Sequence, residues 1–130
     1  MIDQPKLDIL KSKLVLIVDD ETRLRELILR QLRRRGLQCI GAESGNRALD
    51  LLQEQSVDIL ITDVRMPDGS GVDLLRGLHH REQPMPLSIV ISGCSDHSVE
   101  ELMALGASVF LPKPVRIRQL INVMSDALPS

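Results

Sequence analysis

LVLIVDDETRLRELILRQLRRRGLQCIGA, residues 14–42, is the stretch on which the fold turns. Leu14–Val18 is a continuous apolar run of strand length, with no polar residue on either face, as a strand buried on both sides requires. The next segment changes period. Leu24, Leu27, Ile28 and Leu32 fall on one helical face, Arg23, Glu26, Arg30, Arg33 and Arg34 lie on or beside the other, and Gly36 stops the helix. A second apolar run, Leu37–Ala42, follows directly. Strand, helix and strand in succession, the strands fully apolar, read as a parallel pair joined by a crossover helix.

Outward from that unit the alternation continues. Further strands are expected at Val57–Thr62, Leu87–Ser92 and Ser108–Leu111. Ser44 is placed to cap a helix carrying Ala48, Leu49 and Leu52. Ser70 with Asp73, and Ser98 with Glu101, have capping-box spacing before Leu74 and Leu102. Ile117, Leu120, Ile121, Met124 and Leu128 form an apolar stripe on a last helix. The order βαβαβαβαβα requires right-handed crossovers and helices on both faces of one parallel sheet. One domain is expected over residues 13–128, after a short polar leader at 1–12. Such a sheet binds its ligands outside the carboxyl ends of the strands.

Composition narrows the function. The chain has 130 residues, 43% hydrophobic and 26% charged, which fits one ordinary globular domain rather than a disordered chain. Lys plus Arg is 16 and Asp plus Glu is 18, a net charge of −2 that argues against direct nucleic-acid binding and against a membrane-surface binder. Phe110 is the sole aromatic residue, so stacking platforms for single-stranded nucleic acid are excluded. No apolar run approaches membrane-spanning length. Cys39 and Cys94 lack metal-ligand spacing and read as small buried or half-buried residues in a reducing, cytoplasmic setting. His79, His80 and His97 read as surface residues, and the arginines of the first helix as a solvated face.

The strand ends carry the chemistry. The first strand ends in Asp19-Asp20, the third in Asp63, the fourth in Ser92-Gly93, and the fifth runs into Pro112-Lys113-Pro114. Taken singly, these are ordinary residues: a helix cap, turn formers, a loop lysine. Their joint fall at one sheet edge is what points to a site. Three neighbouring carboxylates repel unless a cation sits among them, and a hard divalent ion with oxygen ligands, Mg²⁺ or Mn²⁺ in its place, answers that need. A carboxylate beside such an ion can attack a phosphoryl group. Lys113, the Ser92 hydroxyl and loop N–H groups are then placed to hold the phosphoryl oxygens.

VLIVDDE, ILITDVRMPDGSG, VISG and FLPKP, at five separated places in order, resemble the receiver domain of two-component response regulators from about Lys13 to Leu128. The resemblance implies a flavodoxin-like α/β sandwich of five parallel strands in the order 2-1-3-4-5. It implies that Asp63 is the phosphoacceptor, that Asp20, Asp63 and the Arg65 carbonyl ligate the metal, and that Asp19 acts on it through water. Lys113, Ser92 and Gly93 would contact the phosphoryl group, Phe110 would be the aromatic switch, and Lys113–Pro114 would be a cis bond. Ser stands at 92 where Thr is commoner in the family, and Phe at 110 where Tyr is, so no phenol is available there. The resemblance also implies that Arg65 and Cys94 occupy positions that tune phosphoryl lifetime. The implied partners are a sensor histidine kinase or phosphotransfer protein, and an output domain or partner at the surface from about Ser98 to Leu128, where a phosphorylation-dependent dimer is also among the family's arrangements. Such a domain catalyses only its own phosphorylation and dephosphorylation.

Two other readings use the same residues. A phosphatase of the haloacid dehalogenase type also has a strand-end Asp and Mg²⁺, but its DxDx(T/V) pattern is not met: Glu21 stands two residues after Asp19, and Thr22 two after Asp20. A phosphorylation-independent interaction module on the same fold would not need the complete acidic set.

Overall fold

The computed structural model describes residues 4–66, 68–81, 83–92 and 99–128. The strands are β1 (Leu14–Val18), β2 (Gln38–Ala42), β3 (Ile59–Asp63), β4 (Leu87–Ser92) and β5 (Val109–Pro112). The helices are α1 (Gln4–Lys11), α2 (Thr22–Arg34), α3 (Gly45–Glu54), α4 (Gly71–His79), α5 (Val99–Ala104) and α6 (Ile117–Ala127). All strand pairs are parallel, in the order β2-β1-β3-β4-β5, so the flavodoxin-like arrangement is present.

Alternation along each strand divides the core into two layers. Leu16, Val18, Leu60 and Val90 pack with Leu51, Leu52, Leu74, Leu75, Leu78 and Leu102 of α3, α4 and α5. Val15, Ile17, Ile59, Ile61, Ile89 and Ile91 pack with Leu29 and Leu32 of α2 and Leu120, Ile121 and Met124 of α6. Residues buried on both faces explain why the strands read as unbroken apolar runs.

Several expected bounds shift by a residue or two, for local reasons. The Leu37 N–H bonds the Leu32 carbonyl, closing the end of α2 behind Gly36 (φ +86°), so β2 starts at Gln38. Asp58 precedes β3 and serves as an anchor: its carboxylate accepts the Leu14 N–H at 2.9 Å, and its carbonyl accepts the Leu87 N–H at 2.9 Å. Ser44 caps α3, accepting the Arg47 N–H, and Ser70 with Asp73 forms a complete capping box on α4. Ser98 lies outside the described residues.

Two expectations are corrected. On α2 the buried residues are Leu29 and Leu32, while Leu27 is 48% exposed. The apolar arc of this helix is wider than one packing face. Its axis settles where Arg25 can lay its stem against Gly41 and donate to the Asp19 carbonyl at 2.7 Å. The second concerns the segment expected as a polar leader, where residues 4–11 form α1. Leu10 is fully buried in the α2–α6 layer, and Leu7 is partly buried beside it. Leu7 and Leu10 have i, i+3 spacing, the pairing that makes a short helix bury one stripe.

Candidate functional site

The topology brings the carboxyl ends of β1, β3, β4 and β5 to one edge. Asp19 follows β1 directly, Asp63 closes β3, Ser92 closes β4, and Lys113 follows β5. Neighbouring strands fix these positions: Asp63 is in register with Ile91, and Ser92 with Pro112. The Lys113 N–H also bonds the Ser92 carbonyl at 3.1 Å.

Asp63 is 9% exposed and held at both oxygens. Oδ1 accepts the Val64 N–H at 2.7 Å, and Oδ2 accepts the Lys113 ammonium at 2.6 Å. Its backbone carbonyl accepts the buried Thr62 hydroxyl at 2.9 Å. Asp19, 6% exposed, accepts the Glu21 N–H at 2.9 Å on Oδ1, with Lys113 Nζ 3.8 Å from Oδ2. Asp20 is exposed. Carboxylate oxygens of Asp19, Asp20 and Asp63 lie within 4.8 Å of one another.

Burial pushes the Asp19 carboxyl above its ordinary range, and the charges of Asp63 and Asp20 add to the rise; the Glu21 N–H and Lys113 oppose it without cancelling it. Burial works against the Lys113 ammonium, but the Asp63 hydrogen bond and the charges of Asp63, Asp19 and Glu21 outweigh it and hold the amine above its usual pKa. Lys113 therefore stays charged and serves as a fixed cation. One ammonium among three carboxylates leaves the cluster net negative, and no cation is bonded to Asp20 among the described residues. An acidic set of oxygen donors so placed fits a hard divalent cation.

Phe110 is half-buried against the α3–α5 layer, and Ser92 is buried. The Lys113–Pro114 bond is cis. Arg65 is exposed, next to the acidic edge in sequence. Gly93 lies outside the described residues, as do Cys94 and His97. His79 and His80 are exposed, and Cys39 is buried with its Sγ 3.6 Å from the Leu29 carbonyl. The arginines of α2 are not all free in solvent. Arg25 and Arg33 cap the carbonyls of Asp19 and Cys39.

The sequence gives no role to Thr62, Gly45 or Gly71 and reads Arg25 as part of a solvated face, yet all four bear on the backbone around the site. Gly71 offered a signal in the DGSG run. A Cβ there would collide with the Asp63 carbonyl oxygen, and the Gly71 N–H bonds the Val64 carbonyl at 2.9 Å.

The parallel sheet in this strand order thus carries an acidic triad and a lysine together at one edge. Residues 15–125 match the response regulator receiver domain, and the chain belongs to that family, the receiver domains of two-component response regulators. Response regulator protein PilR of Pseudomonas aeruginosa is 38% identical over 114 residues, which cover 87% of this chain and 25% of PilR. Transcriptional regulatory protein CpxR of Escherichia coli K12 is 37% identical over 107 residues, covering 82% of this chain and 45% of CpxR. The chain thus spans between a quarter and less than half the length of these relatives. A response regulator receiver protein from Pseudomonas putida superposes with a TM-score of 0.79 at 36% identity, over 88% of this chain and 96% of that one. Chemotaxis protein CheY4 of Vibrio cholerae superposes with a TM-score of 0.82 at 26% identity, over 89% and 98%. No helix among the described residues is long and apolar enough to cross a membrane.

Proposed function

We propose that Asp63 accepts a phosphoryl group from the phosphohistidine of a sensor kinase or phosphotransfer protein, and that the phosphorylated domain controls an output unit. The observation that carries this reading is the Asp63 carboxylate itself. It lies at the mouth of the sheet edge, fixed by the Val64 N–H and by Lys113 at 2.6 Å, with two further carboxylates within 4.8 Å. Asp20, Asp63 and the Arg65 carbonyl would hold a Mg²⁺ ion, with Asp19 acting through water; when bound, the ion supplies positive charge to the oxygens of the transferring phosphoryl group.

The chain's own groups account for the transfer. A lone pair on a carboxylate oxygen of Asp63 forms the new O–P bond as the P–N bond to the donor imidazole breaks. The electron pair of that bond leaves with the imidazole nitrogen, which takes a proton. Lys113 bridges Asp63 and the incoming phosphoryl oxygens, so charge developing there meets an ammonium already in place. The Ser92 hydroxyl, at the end of β4, and the Gly93 backbone N–H are assigned to a phosphoryl oxygen. Hydrolysis of the aspartyl phosphate, which resets the signal, restores the carboxylate and releases phosphate.

The readout is assigned to residues 98–128, comprising α5, β5 and α6 in the present numbering. Val99 and Met103, one turn apart on α5, are 45% and 46% exposed, and Phe110 lies in the same segment. The cytoplasm is the compartment this chemistry requires, since kinase and phosphodonor work there. The test is phosphoryl uptake from acetyl phosphate with Mg²⁺, read by intact mass. Wild type should gain one phosphoryl group and Asp63→Asn none; equal uptake by the two would reject the assignment.

A further inference from the structure

The first turn of α3 touches no carboxylate of the site, yet it is built into the backbone that carries Asp63. The Gly45 N–H, one of the helix's unpaired N-terminal donors, bonds the Gly69 carbonyl at 2.8 Å. The two segments meet so closely that a Cβ on Gly45 would stand 2.5 Å from the Gly69 oxygen and 3.0 Å from the Ser70 oxygen. Gly69 is matched to this seat, with φ +104° and its own Cβ position 2.8 Å from the Asn46 nitrogen. Asn46 Nδ2 adds a 3.3 Å bond to the carboxylate of Asp68, itself in the left-handed region at φ +58°.

Two residues beyond Gly69 the chain reaches the acceptor. The Gly71 N–H bonds the Val64 carbonyl, and its missing side chain lets it lie against the Asp63 carbonyl. Val64 in turn donates the 2.7 Å bond that orients Asp63 Oδ1. The path from α3 to the carboxylate is continuous: Gly45 to Gly69, Gly71 to Val64, Val64 to Asp63.

We propose that Gly45 and Asn46 are positioning residues for phosphoryl transfer, fixing the orientation of the Asp63 carboxylate through the Gly69–Gly71 backbone. The claim rests on Asp63 being the acceptor. A small displacement of an attacking group costs rate out of proportion to stability, on the order of 10–100-fold for an ångström or less. The missing side chain at Gly45 and the Asn46 amide therefore set the maximal rate rather than the affinity for the donor.

The test compares Gly45→Ala, Asn46→Ala and Gly77→Ala with wild type, using acetyl phosphate and Mg²⁺. Gly77 is the packing control. Its Cβ would meet Leu49 at 3.1 Å across the same pair of helices, away from the Gly69 seat. Gly45→Ala should lower the maximal phosphorylation rate by roughly 10–100-fold, with little change in the donor concentration at half-maximal rate, and should shift the Val64 amide resonance. Asn46→Ala should move both readouts the same way by less, and it decides the matter if Gly45→Ala does not fold. Gly77→Ala should leave both unchanged. A folded Gly45→Ala with wild-type rate and an unmoved Val64 amide overturns the proposal, as does equal slowing by Gly77→Ala. If wild type takes up no phosphoryl group, the acceptor reading fails, and the Val64 amide alone decides whether α3 positions Asp63.

Discussion

Asp19 shows at the scale of one residue what an acidic site costs its own fold. Its carboxyl is buried, and burial with two neighbouring carboxylates raises its pKa above the ordinary 3.8. A group whose folded pKa is raised favours the fold fully below its unfolded value and loses that contribution as pH rises through the folded one. Asp19→Asn keeps an oxygen for the Glu21 N–H and removes the charge. It should raise the metal-free melting temperature near neutral pH. The gain should vanish once the pH falls below 3.8, and thermal melts across pH would show both. The exposed neighbour has a different task. Asp20→Asn should weaken Mg²⁺ binding, measured by calorimetry, by at least the ~10–100-fold that outer-shell losses cost in metal sites. Asp19, Asp20, Asp63 and Lys113 were legible because each lies at or just beyond the carboxyl end of a strand. Thr62 was not, since a hydroxyl acting on a backbone carbonyl leaves no pattern in one sequence, and Gly71 left only the DGSG run as its trace.

Strands were legible as unbroken apolar runs, and the longer helices wherever one face alone was apolar or a cap was written in side chains. Ser70 and Asp73 show such a cap. Their reciprocal bonds were foreseeable from spacing, and Ser70→Ala should cost about 1 kcal/mol in denaturant unfolding. Helix α2 shows where pattern fails. Leu24, Leu27, Ile28, Leu29 and Leu32 cover too wide an arc for the sequence to say which residue is central, and the Arg25 bond to the Asp19 carbonyl decided it. Leu29→Ala should therefore destabilise by about 2–5 kcal/mol. Leu27→Ala should stay within about 0.5 kcal/mol. Equal effects would mean that the helix is rotated from the orientation described. The strand starts moved for a related reason: Leu37 and Asp58 spend their backbone groups on closing α2 and anchoring β1, which no periodicity records.

For the whole molecule, the end of the sheet away from the site has a cover of its own. At the end opposite Asp63, α1 covers the α2–α6 layer. Leu10 fills it, Lys6 pairs with Asp126 at 3.6 Å, and the Lys11 carbonyl accepts from Gln38. Leu10→Ala should lower stability by about 2–5 kcal/mol, although it lies at the edge of the chain. The parallel order and the convergence of β1, β3, β4 and β5 on one edge followed from apolar runs and alternation. The helix α1 escaped notice because two leucines among polar residues fall below the signal of a longer helix. The most direct measurement for the whole account is to locate the phosphoryl group. After phosphorylation with acetyl phosphate and Mg²⁺, borohydride reduces an aspartyl phosphate to homoserine, and fragment masses then identify the converted residue. Conversion at residue 63 alone is the expected result; conversion at 19 or 20, or phosphoryl uptake with no homoserine at 63, would contradict it.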